Sequence, residues 1–256
     1  MLTLKVLQNT VIKARPIQSA ELGVKDKFSA KAGETFQVES YEKTRCNHYR
    51  VVLKAPREGQ KVFYCYIGHF MLLEGGKPLG AILPEAVEPL LIPYLSQRDN
   101  YENPDGSCNV TSFAMIFKHF GIPQKTGAGQ FEDELYRYCE QNGLSRHSPY
   151  DLATMAESYG VRSTFTDKGS LRDIKKRLSE GKPCISHGYY TSYGHIIVLC
   201  GYNKTGFLVN DPWGYLDQYD SYQNERSGKG YIMAYDQFSR LTAPDSYFWF
   251  HWLEKI

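Results

Sequence analysis

The sequence predicts an α+β fold in two parts, a small all-β module followed by a larger mixed domain. Residues 1–76 hold short alternating or β-branched runs separated by glycine- and proline-bearing turns, a pattern typical of strands. Residues 91–256 open with segments of helical periodicity and continue with apolar strand-like runs, an order typical of α+β domains. Residues 77–90 contain three prolines, which disfavour both helix and inner strand, so this segment is predicted to be a linker.

Four short runs carry the strand prediction in the first part, at residues 4–7, 35–38, 49–53 and 62–67. So many short strands in so short a segment predict a small barrel. The layout resembles that of bacterial SH3-like modules, and this resemblance implies that residues 1–76 bind a bacterial cell wall. Cys46 and Cys65 can approach each other across neighbouring strands of such a barrel.

The mixed domain begins with four predicted helices. Ser107 is placed to cap the first helix, which ends before a glycine and a proline. Ser148-Pro149 opens the third helix, and Ser170 with Asp173 has the spacing of a capping box for the fourth. The four helices are predicted at residues 108–120, 131–141, 149–160 and 171–181.

Five apolar runs follow the helices and predict an antiparallel sheet. Asn203 and Gly206 bound a turn that joins the second run to the third as a hairpin. The predicted strands are residues 184–189, 195–202, 207–210, 231–235 and 247–252.

The composition argues against several classes of protein. A net charge of +2 gives no electrostatic footprint for nucleic acid. No apolar run approaches the roughly 20 residues that span a bilayer, so no membrane insertion is expected. The N-terminus alternates like a strand and lacks the apolar core of a secretory signal, so we expect synthesis in the cytoplasm without a signal peptide. The six cysteines form no C-x-x-C pair, and neither a metal nor another cofactor is predicted.

Cys108 is the candidate nucleophile. It stands at the start of a predicted helix, directly after the turn formed by residues 105–107. The positive end of the helix dipole and the unpaired N–H groups there lower a thiol pKa and favour the thiolate. The other cysteines are expected to be small buried side chains in a reducing compartment.

His195 is the candidate general base. It follows Gly194 and opens a strand that is otherwise apolar, so its ring nitrogens need partners. The glycine leaves the space beside the imidazole that a cleft requires. His187 lies on the preceding strand without such a glycine and is the alternative base.

Asp211 is the candidate group that orients the histidine. It ends the strand that pairs with the His195 strand, and cross-strand neighbours can place a carboxylate against an imidazole. Asn210 is the alternative, since an asparagine side chain can take the same role. Gln97 is the candidate oxyanion donor, together with the backbone N–H of Cys108.

The order of these residues and their local contexts resemble the papain-fold cysteine peptidases, in particular the branch that includes bacteriocin-leader peptidases. The resemblance covers residues 91–252. By it, Cys108 would be the nucleophile and His195 the base, while Asp211 would orient the histidine and Gln97 would donate to the oxyanion. The motifs that carry it are Ile92-Pro93-Tyr94 to Gln97, Cys108-Asn109-Val110-Thr111-Ser112, Gly194-His195-Ile196-Ile197-Val198 to Gly201-Tyr202, and Asn210-Asp211-Pro212-Trp213-Gly214.

Two departures from the family pattern point to a subset of it. Asn109 stands where many members have glycine, and residues 100–106 look like an insertion between Gln97 and Cys108. The Cys-Asn-Val-Thr-Ser variant, with a long polar segment after Asp-Pro-Trp-Gly, resembles the peptidoglycan-cleaving enzymes of phage endolysins and bacterial wall hydrolases.

This resemblance implies a monomeric, bacteriolytic hydrolase that cleaves peptide or amide bonds of peptidoglycan after its release from the cell. Asn109, Tyr193 and Trp213 are expected to contact the substrate, and residues 215–230 to form a loop that lines it. Two alternatives stay open. One is a processing peptidase for leader peptides or other unfolded polypeptides, and the other is a catalytically silent protein that binds peptide or carbohydrate.

Overall fold

The computed structural model describes residues 1–44, 48–79, 83–127, 129–223, 225–243 and 247–256. The chain divides into two compact units, Met1–Ile82 and Leu83–Ile256. In the described part of the chain, no helix is both long enough and apolar enough to cross a membrane.

The N-terminal unit consists of antiparallel strands and short 3-10 helices. Its eight strands form one sheet in the order β3-β2-β6-β5-β4-β1-β7-β8. The strands are β1 (Leu2–Val6), β2 (Thr10–Lys13), β3 (Lys27–Ala30), β4 (Thr35–Lys43), β5 (His48–Arg57), β6 (Gln60–Tyr66), β7 (Phe70–Glu74) and β8 (Lys77–Pro78).

The core of this unit is built from alternate residues of its strands. Leu4 and Val6 of β1, Val51 and Leu53 of β5 and Phe63 of β6 are all buried, as the period of two predicts. All four predicted strands are present. The described pairing ends at β3 on one side and at β8 on the other, so the SH3-like barrel stays a prediction. The possible Cys46–Cys65 pair lies outside the described residues, because Cys46 is not among them.

The C-terminal unit begins with helices and continues with strands, as predicted. The four predicted helices are present within one or two residues of their predicted ends. A fifth helix, α5, was not predicted. The helices are α1 (Cys108–His119), α2 (Phe131–Gln141), α3 (Pro149–Ser158), α4 (Leu171–Ser179) and α5 (Tyr235–Thr242).

An antiparallel sheet of six strands runs through this unit in the order β15-β12-β11-β10-β16-β9. The five predicted strands are all present, and β9 was not predicted. A separate two-stranded hairpin is formed by β13 and β14. The strands are β9 (Val161–Gly169), β10 (Cys184–Gly188), β11 (His195–Tyr202), β12 (Gly206–Asn210), β13 (Tyr215–Leu216), β14 (Tyr222–Gln223), β15 (Tyr231–Ala234) and β16 (Phe248–Lys255).

Strand β11 is the centre of the sheet and is buried along its whole length. Ile196 and Val198 pack into the apolar cluster formed with α1, α2 and α3. Ile197 and Leu199 pack into a second cluster with residues of α4 and α5. A strand covered on both faces is apolar throughout, which explains why this run shows no polar alternation.

The helix starts confirm two of the predicted caps and correct the third. The Ser148 side chain accepts the backbone N–H of Asp151, and Ser170 forms a complete capping box with Asp173. Ser107 precedes α1, but its side chain makes no capping hydrogen bond. Its hydroxyl instead accepts a hydrogen bond of 2.8 Å from the Asn100 side chain, so Ser107 is the N-cap residue by position but does not cap the helix with its side chain.

Both ends of the proline-bearing segment 77–90 have regular hydrogen bonding. Strand β8 pairs with β7 in the N-terminal unit. Val87 forms an isolated bridge with Tyr202, and the Leu90 N–H donates to the Cys200 carbonyl over 2.8 Å within the C-terminal unit. The division of the chain after Ile82 falls inside this segment.

Candidate active site

Cys108 is the first residue of α1, where backbone N–H groups have no partner within the helix. The Asn100 side chain holds this helix start from outside, because its amide donates to Ser107 and, over 2.9 Å, to Thr111. The segment that looks like an insertion therefore lies against the helix that carries the nucleophile candidate.

His195 is the first residue of β11 and follows Gly194, whose φ of 82° is a conformation that favours glycine. Its Nε2 lies 2.8 Å from Oδ1 of Asp211. The charge and hydrogen-bonding capacity of the ring act on the Cys108 thiol and lower the thiol pKa. Because Nε2 is engaged by the carboxylate, Nδ1 is the ring nitrogen left for the thiol.

Asp211 directly follows β12 and is completely buried. Its Oδ1 also accepts the backbone N–H of Trp213 over 2.9 Å. Its Oδ2 accepts the hydroxyl of Tyr222 over 2.8 Å. Asn210 points elsewhere, because its side chain bonds the Ile92 carbonyl and the Gly230 N–H. The structure thus brings Cys108, His195 and Asp211 together and leaves Asn210 out.

The charges of this cluster favour a thiolate–imidazolium pair. Burial would raise the pKa of the Cys108 thiol, but the His195 charge, the His195 hydrogen bond and the Ile196 N–H lower it below its ordinary value. Burial would lower the pKa of His195, but the charges and hydrogen bonds of Asp211 and Cys108 raise it to about 10. Each partner holds the other in its charged form.

The other described cysteines have the opposite environment. Burial raises the pKa of Cys139 to about 11 and that of Cys200 to about 12. Burial also raises the pKa of Cys65 and Cys184 far above the ordinary value. A thiol with a raised pKa is a poor nucleophile at neutral pH, so Cys108 is the reactive thiol among the described residues.

His187, the alternative base, lies in an apolar setting. Its ring stacks on that of His251 at 5.1 Å and packs edge-on against Phe165 at 5.6 Å. Its Nε2 is buried without a hydrogen-bond partner among the described residues. Burial lowers the pKa of His187 to about 4, so the ring stays neutral and has no carboxylate to orient it.

Gln97 is buried beside the nucleophile candidate. Its Nε2 donates to the Pro104 carbonyl over 2.8 Å, and its backbone N–H donates to the Pro212 carbonyl over 2.9 Å. An amide nitrogen carries two hydrogens, so one remains for a second acceptor. Gln97 lines the same cavity as Cys108, and half of the donor capacity of its amide nitrogen is already used. Its role as oxyanion donor stays a prediction.

A cavity of about 990 Å³ opens over this cluster. Gln97, Cys108 and His195 line it, together with the three residues predicted to contact the substrate, Asn109, Tyr193 and Trp213. Tyr193 is fully exposed. The Asn109 amide donates to the Arg146 carbonyl over 2.8 Å, so this side chain also ties the helix start to the cavity wall. Further lining residues include Asp105, Arg146, His147, Tyr189 and Trp249.

None of the described residues of the segment 215–230 lines this cavity, which differs from the predicted substrate-lining loop. It folds into the β13–β14 hairpin and covers Asp211, as the Tyr222 hydrogen bond records. Sequence reasoning missed Tyr222 and also Tyr231, whose hydroxyl lies 3.5 Å from Oδ2 of Asp211. The density of tyrosines in this polar segment was the available signal.

Among the described residues, no group of three or more His, Cys, Asp or Glu side chains is arranged to hold a metal ion. The acidic residues of the hairpin are used internally. Asp217 accepts the N–H groups of Tyr219 and Ser221, and Asp220 pairs with Arg240 at 2.8 Å.

Residues 89–242 match the model of the Peptidase_C39 like family. The chain belongs to this family, and its class is therefore that of the papain-like cysteine peptidases. No curated protein is significantly similar to the chain.

Two solved structures are similar to the C-terminal part. One is a double glycine motif protease from an AMS/PCAT transporter in complex with the leader peptide, with 18% identity and a TM-score of 0.42. The other is a C39-like peptidase from Bacillus anthracis, with 15% identity and a TM-score of 0.45. Each similarity covers 67% of this chain and 99% of the other chain.

Proposed function

We propose that this protein is a cysteine endopeptidase or amidase that hydrolyses peptide or amide bonds of bacterial peptidoglycan. The observation that carries the proposal is the linked arrangement of Cys108, His195 and Asp211 beneath an open cavity of about 990 Å³. A nucleophile, a base and a group that orients the base are the three parts that covalent acyl transfer requires.

The first half of the proposed reaction forms an acyl-enzyme. The Cys108 thiolate attacks the carbonyl carbon, a C–S bond forms and the carbonyl oxygen becomes negative. The backbone N–H of Cys108 and the second N–H of Gln97 Nε2 stabilise that oxygen. The C–N bond then breaks, and the imidazolium of His195 gives its proton to the leaving amine.

The second half returns the enzyme to its starting state. Neutral His195 takes a proton from water, and the hydroxide attacks the thioester carbon. The C–S bond breaks and leaves a carboxylic acid product, which loses its proton to solvent, with the Cys108 thiolate beside a protonated His195. Asp211 keeps the imidazole ring in one orientation through both halves.

The lining of the cavity supports a wall substrate. Tyr189, Tyr193 and Trp249 are exposed there and offer flat aromatic surfaces on which sugar rings and peptide groups can pack. Arg146, which pairs with Glu140 at 3.6 Å, and His147 add hydrogen-bonding nitrogens to the lining of the cavity, where they can meet polar groups of peptidoglycan stem peptides.

The N-terminal unit is proposed to bind the same polymer. A second module that holds the wall raises the effective concentration of substrate at the catalytic unit without any new contact to the scissile bond. In this proposal the protein acts as a monomer on the cell wall after its release, as phage lysins do.

The test is mass spectrometry of the products released from purified peptidoglycans of several chemotypes and, in parallel, from leader peptides. We expect wild-type protein to release fragments with a new free amine from at least one peptidoglycan. The variant Cys108→Ala should fold like wild type and release none. If only leader peptides are cleaved, the substrate is a leader peptide and not peptidoglycan. If Cys108→Ala remains active, the assignment of Cys108 as the nucleophile is wrong.

A further inference from the structure

The carboxylate of Asp211 has a hydrogen-bond partner for each of its oxygens. Oδ1 faces Nε2 of His195 at 2.8 Å and the Trp213 N–H at 2.9 Å. Oδ2 accepts the Tyr222 hydroxyl at 2.8 Å and lies 3.5 Å from the Tyr231 hydroxyl. The shorter of the two tyrosine contacts therefore comes from β14, outside the main sheet.

The hairpin that carries Tyr222 is held in place at several points. The Asp217 carboxylate accepts N–H groups from its own turn and the side-chain amide of Gln223, the residue next to Tyr222. Asp220 pairs with Arg240 of α5. A Cβ at Gly228 would meet the backbone carbonyl oxygen of Asp211 at 2.1 Å, so the returning chain packs directly against the Asp211 backbone. These contacts fix the position of the hairpin that carries Tyr222.

We propose that Tyr222 is a positioning residue of the catalytic site. Its hydroxyl fixes the Asp211 carboxylate against His195 and sets the pH above which Cys108 is a reactive thiolate. The ring also packs edge-on against that of His195, with centroids 6.2 Å apart, so one side chain holds both the carboxylate and the imidazole. This inference rests on the thiol chemistry of the site and is independent of which polymer is cleaved.

The physical reason is the charge of Asp211. A hydroxyl donated to a carboxylate stabilises its ionised form and draws electron density away from the oxygen that faces His195. Without that hydroxyl, Oδ2 of Asp211 loses its closest partner, so the carboxylate holds the His195 ring less firmly. The negative charge of Asp211, which opposes the Cys108 thiolate, is also less screened. Both effects move the onset of Cys108 reactivity to higher pH.

The tyrosines around Asp211 do not change protonation state over the pH range of the experiment. Burial raises the pKa of each neighbouring tyrosine, so these hydroxyls remain protonated donors over the working range. The titrating groups are then Cys108 of α1 and His195 of β11. The tyrosines are Tyr94, Tyr190, Tyr222 and Tyr231.

The test is the rate of Cys108 alkylation by iodoacetamide as a function of pH, read for this residue by peptide mass spectrometry. The acid limb of this profile is the pH range in which the alkylation rate rises. In Tyr222→Phe it should move up by about one pH unit, the size expected for one hydrogen bond to an ionised group. Tyr231→Phe should move it in the same direction by less, because its contact is longer. Tyr219→Phe removes an exposed hydroxyl from the same hairpin and should leave the limb in place.

A purely structural role would give a different result. Tyr222→Phe would then lower the unfolding temperature while the acid limb stayed at the wild-type pH, and that outcome overturns the proposal. If Tyr222→Phe does not fold, 3-fluorotyrosine at position 222 supplies a stronger donor of nearly the same shape. The limb should then move to lower pH, and a limb that stays in place or rises contradicts the role.

Discussion

Two histidines on neighbouring strands line the same cavity, and their surroundings make one of them positively charged and keep the other neutral. His195 at the start of β11 has Asp211 on Nε2, and the charges and hydrogen bonding of Asp211 and Cys108 raise its pKa to about 10. His187 in β10 stacks on His251 and touches Phe165, and its pKa is lowered to about 4. Both rings are held inside the protein, so burial alone does not separate them.

This difference shows that a partner of opposite charge decides whether a buried histidine is protonated. Desolvation disfavours the imidazolium at both positions, but only His195 has a carboxylate that offsets this cost. His251, the partner of His187, is itself a histidine held neutral by burial and therefore offers no countercharge. One imidazole is thus equipped for proton transfer and the other for packing.

The largest expected effect separates the two histidines directly. His195→Ala should lower hydrolysis by about 10³-fold, because the nucleophile loses its base and its countercharge. Alkylation of Cys108 at pH 6 should fall by about 10²-fold, since the thiol returns to its ordinary pKa. His187→Phe should leave alkylation at the wild-type rate. Residue-resolved mass spectrometry measures both variants, and a comparable loss in His187→Phe would make His187 part of the proton path.

Removal of the Asp211 charge should have the next largest effect. Asp211→Asn keeps an oxygen for Nε2 of His195 but removes the negative charge. Hydrolysis should fall by about 10²-fold. The alkaline limb of kcat/KM should also move from the pH set by a His195 pKa of about 10 towards the ordinary value near 6.5. An alkaline limb that stays in place would assign the raised pKa to another neighbour.

The neutral state of His187 should appear as a dependence of stability on pH. Its folded-state pKa of about 4 lies below the unfolded value, so the unfolded chain takes up the proton first as pH falls. The stabilisation is complete above about pH 6.5 and is lost towards pH 4, up to about 2–3 kcal/mol. His187→Phe should therefore lose less stability over this range than wild type.

Tryptophan fluorescence in urea measures this for the C-terminal unit alone, because Trp213, Trp249 and Trp252 all lie in it. Asp167→Asn on an exposed part of β9 serves as a matched control for general acid effects. If the free energy of unfolding changed equally with pH in wild type and in His187→Phe, His187 would not be neutral in the folded state.

The smallest expected effect concerns the hydrogen bond that holds His251, the ring on which His187 stacks. Ser163 Oγ lies 2.9 Å from Nδ1 of His251. Ser163→Ala should lower the free energy of unfolding at pH 7 by about 1 kcal/mol, because a buried ring nitrogen loses its partner. The alkylation rate of Cys108 should not change. An effect on alkylation would connect the stacked His187–His251 pair to the reactive Cys108–His195 pair.

Much of this fold follows from local sequence signals. The capping residues Ser148 and Ser170 and the apolar run of β11 carry their structure in the nearest few residues. Strand β9 was missed because Val161–Gly169 is largely polar and half-exposed, and only its pairing with β16 makes it a strand. Helix α5 was missed because its first residue continues an apolar strand pattern.

The site shows the same division between local and long-range information. Cys108, His195 and Asp211 each have a recognisable local context, and the structure brings them together. Ser107 and Tyr222 do not, because their hydrogen bonds join residues from separate segments. The Ser107 hydroxyl is used by Asn100, and the Tyr222 hydroxyl is used by a carboxylate eleven residues away. No local pattern encodes such pairs.

The most direct test of the central claim is the pH profile of iodoacetamide alkylation at Cys108 in wild-type protein. A thiolate held by His195 and Asp211 predicts a rate that reaches a plateau well below pH 8.5, the ordinary thiol pKa being roughly 8.5. His187→Phe should reproduce this plateau, and His195→Ala should lose it. A wild-type rate that rises only through about pH 8.5, as for a free thiol, would contradict the claim that Cys108 and His195 form a charged pair.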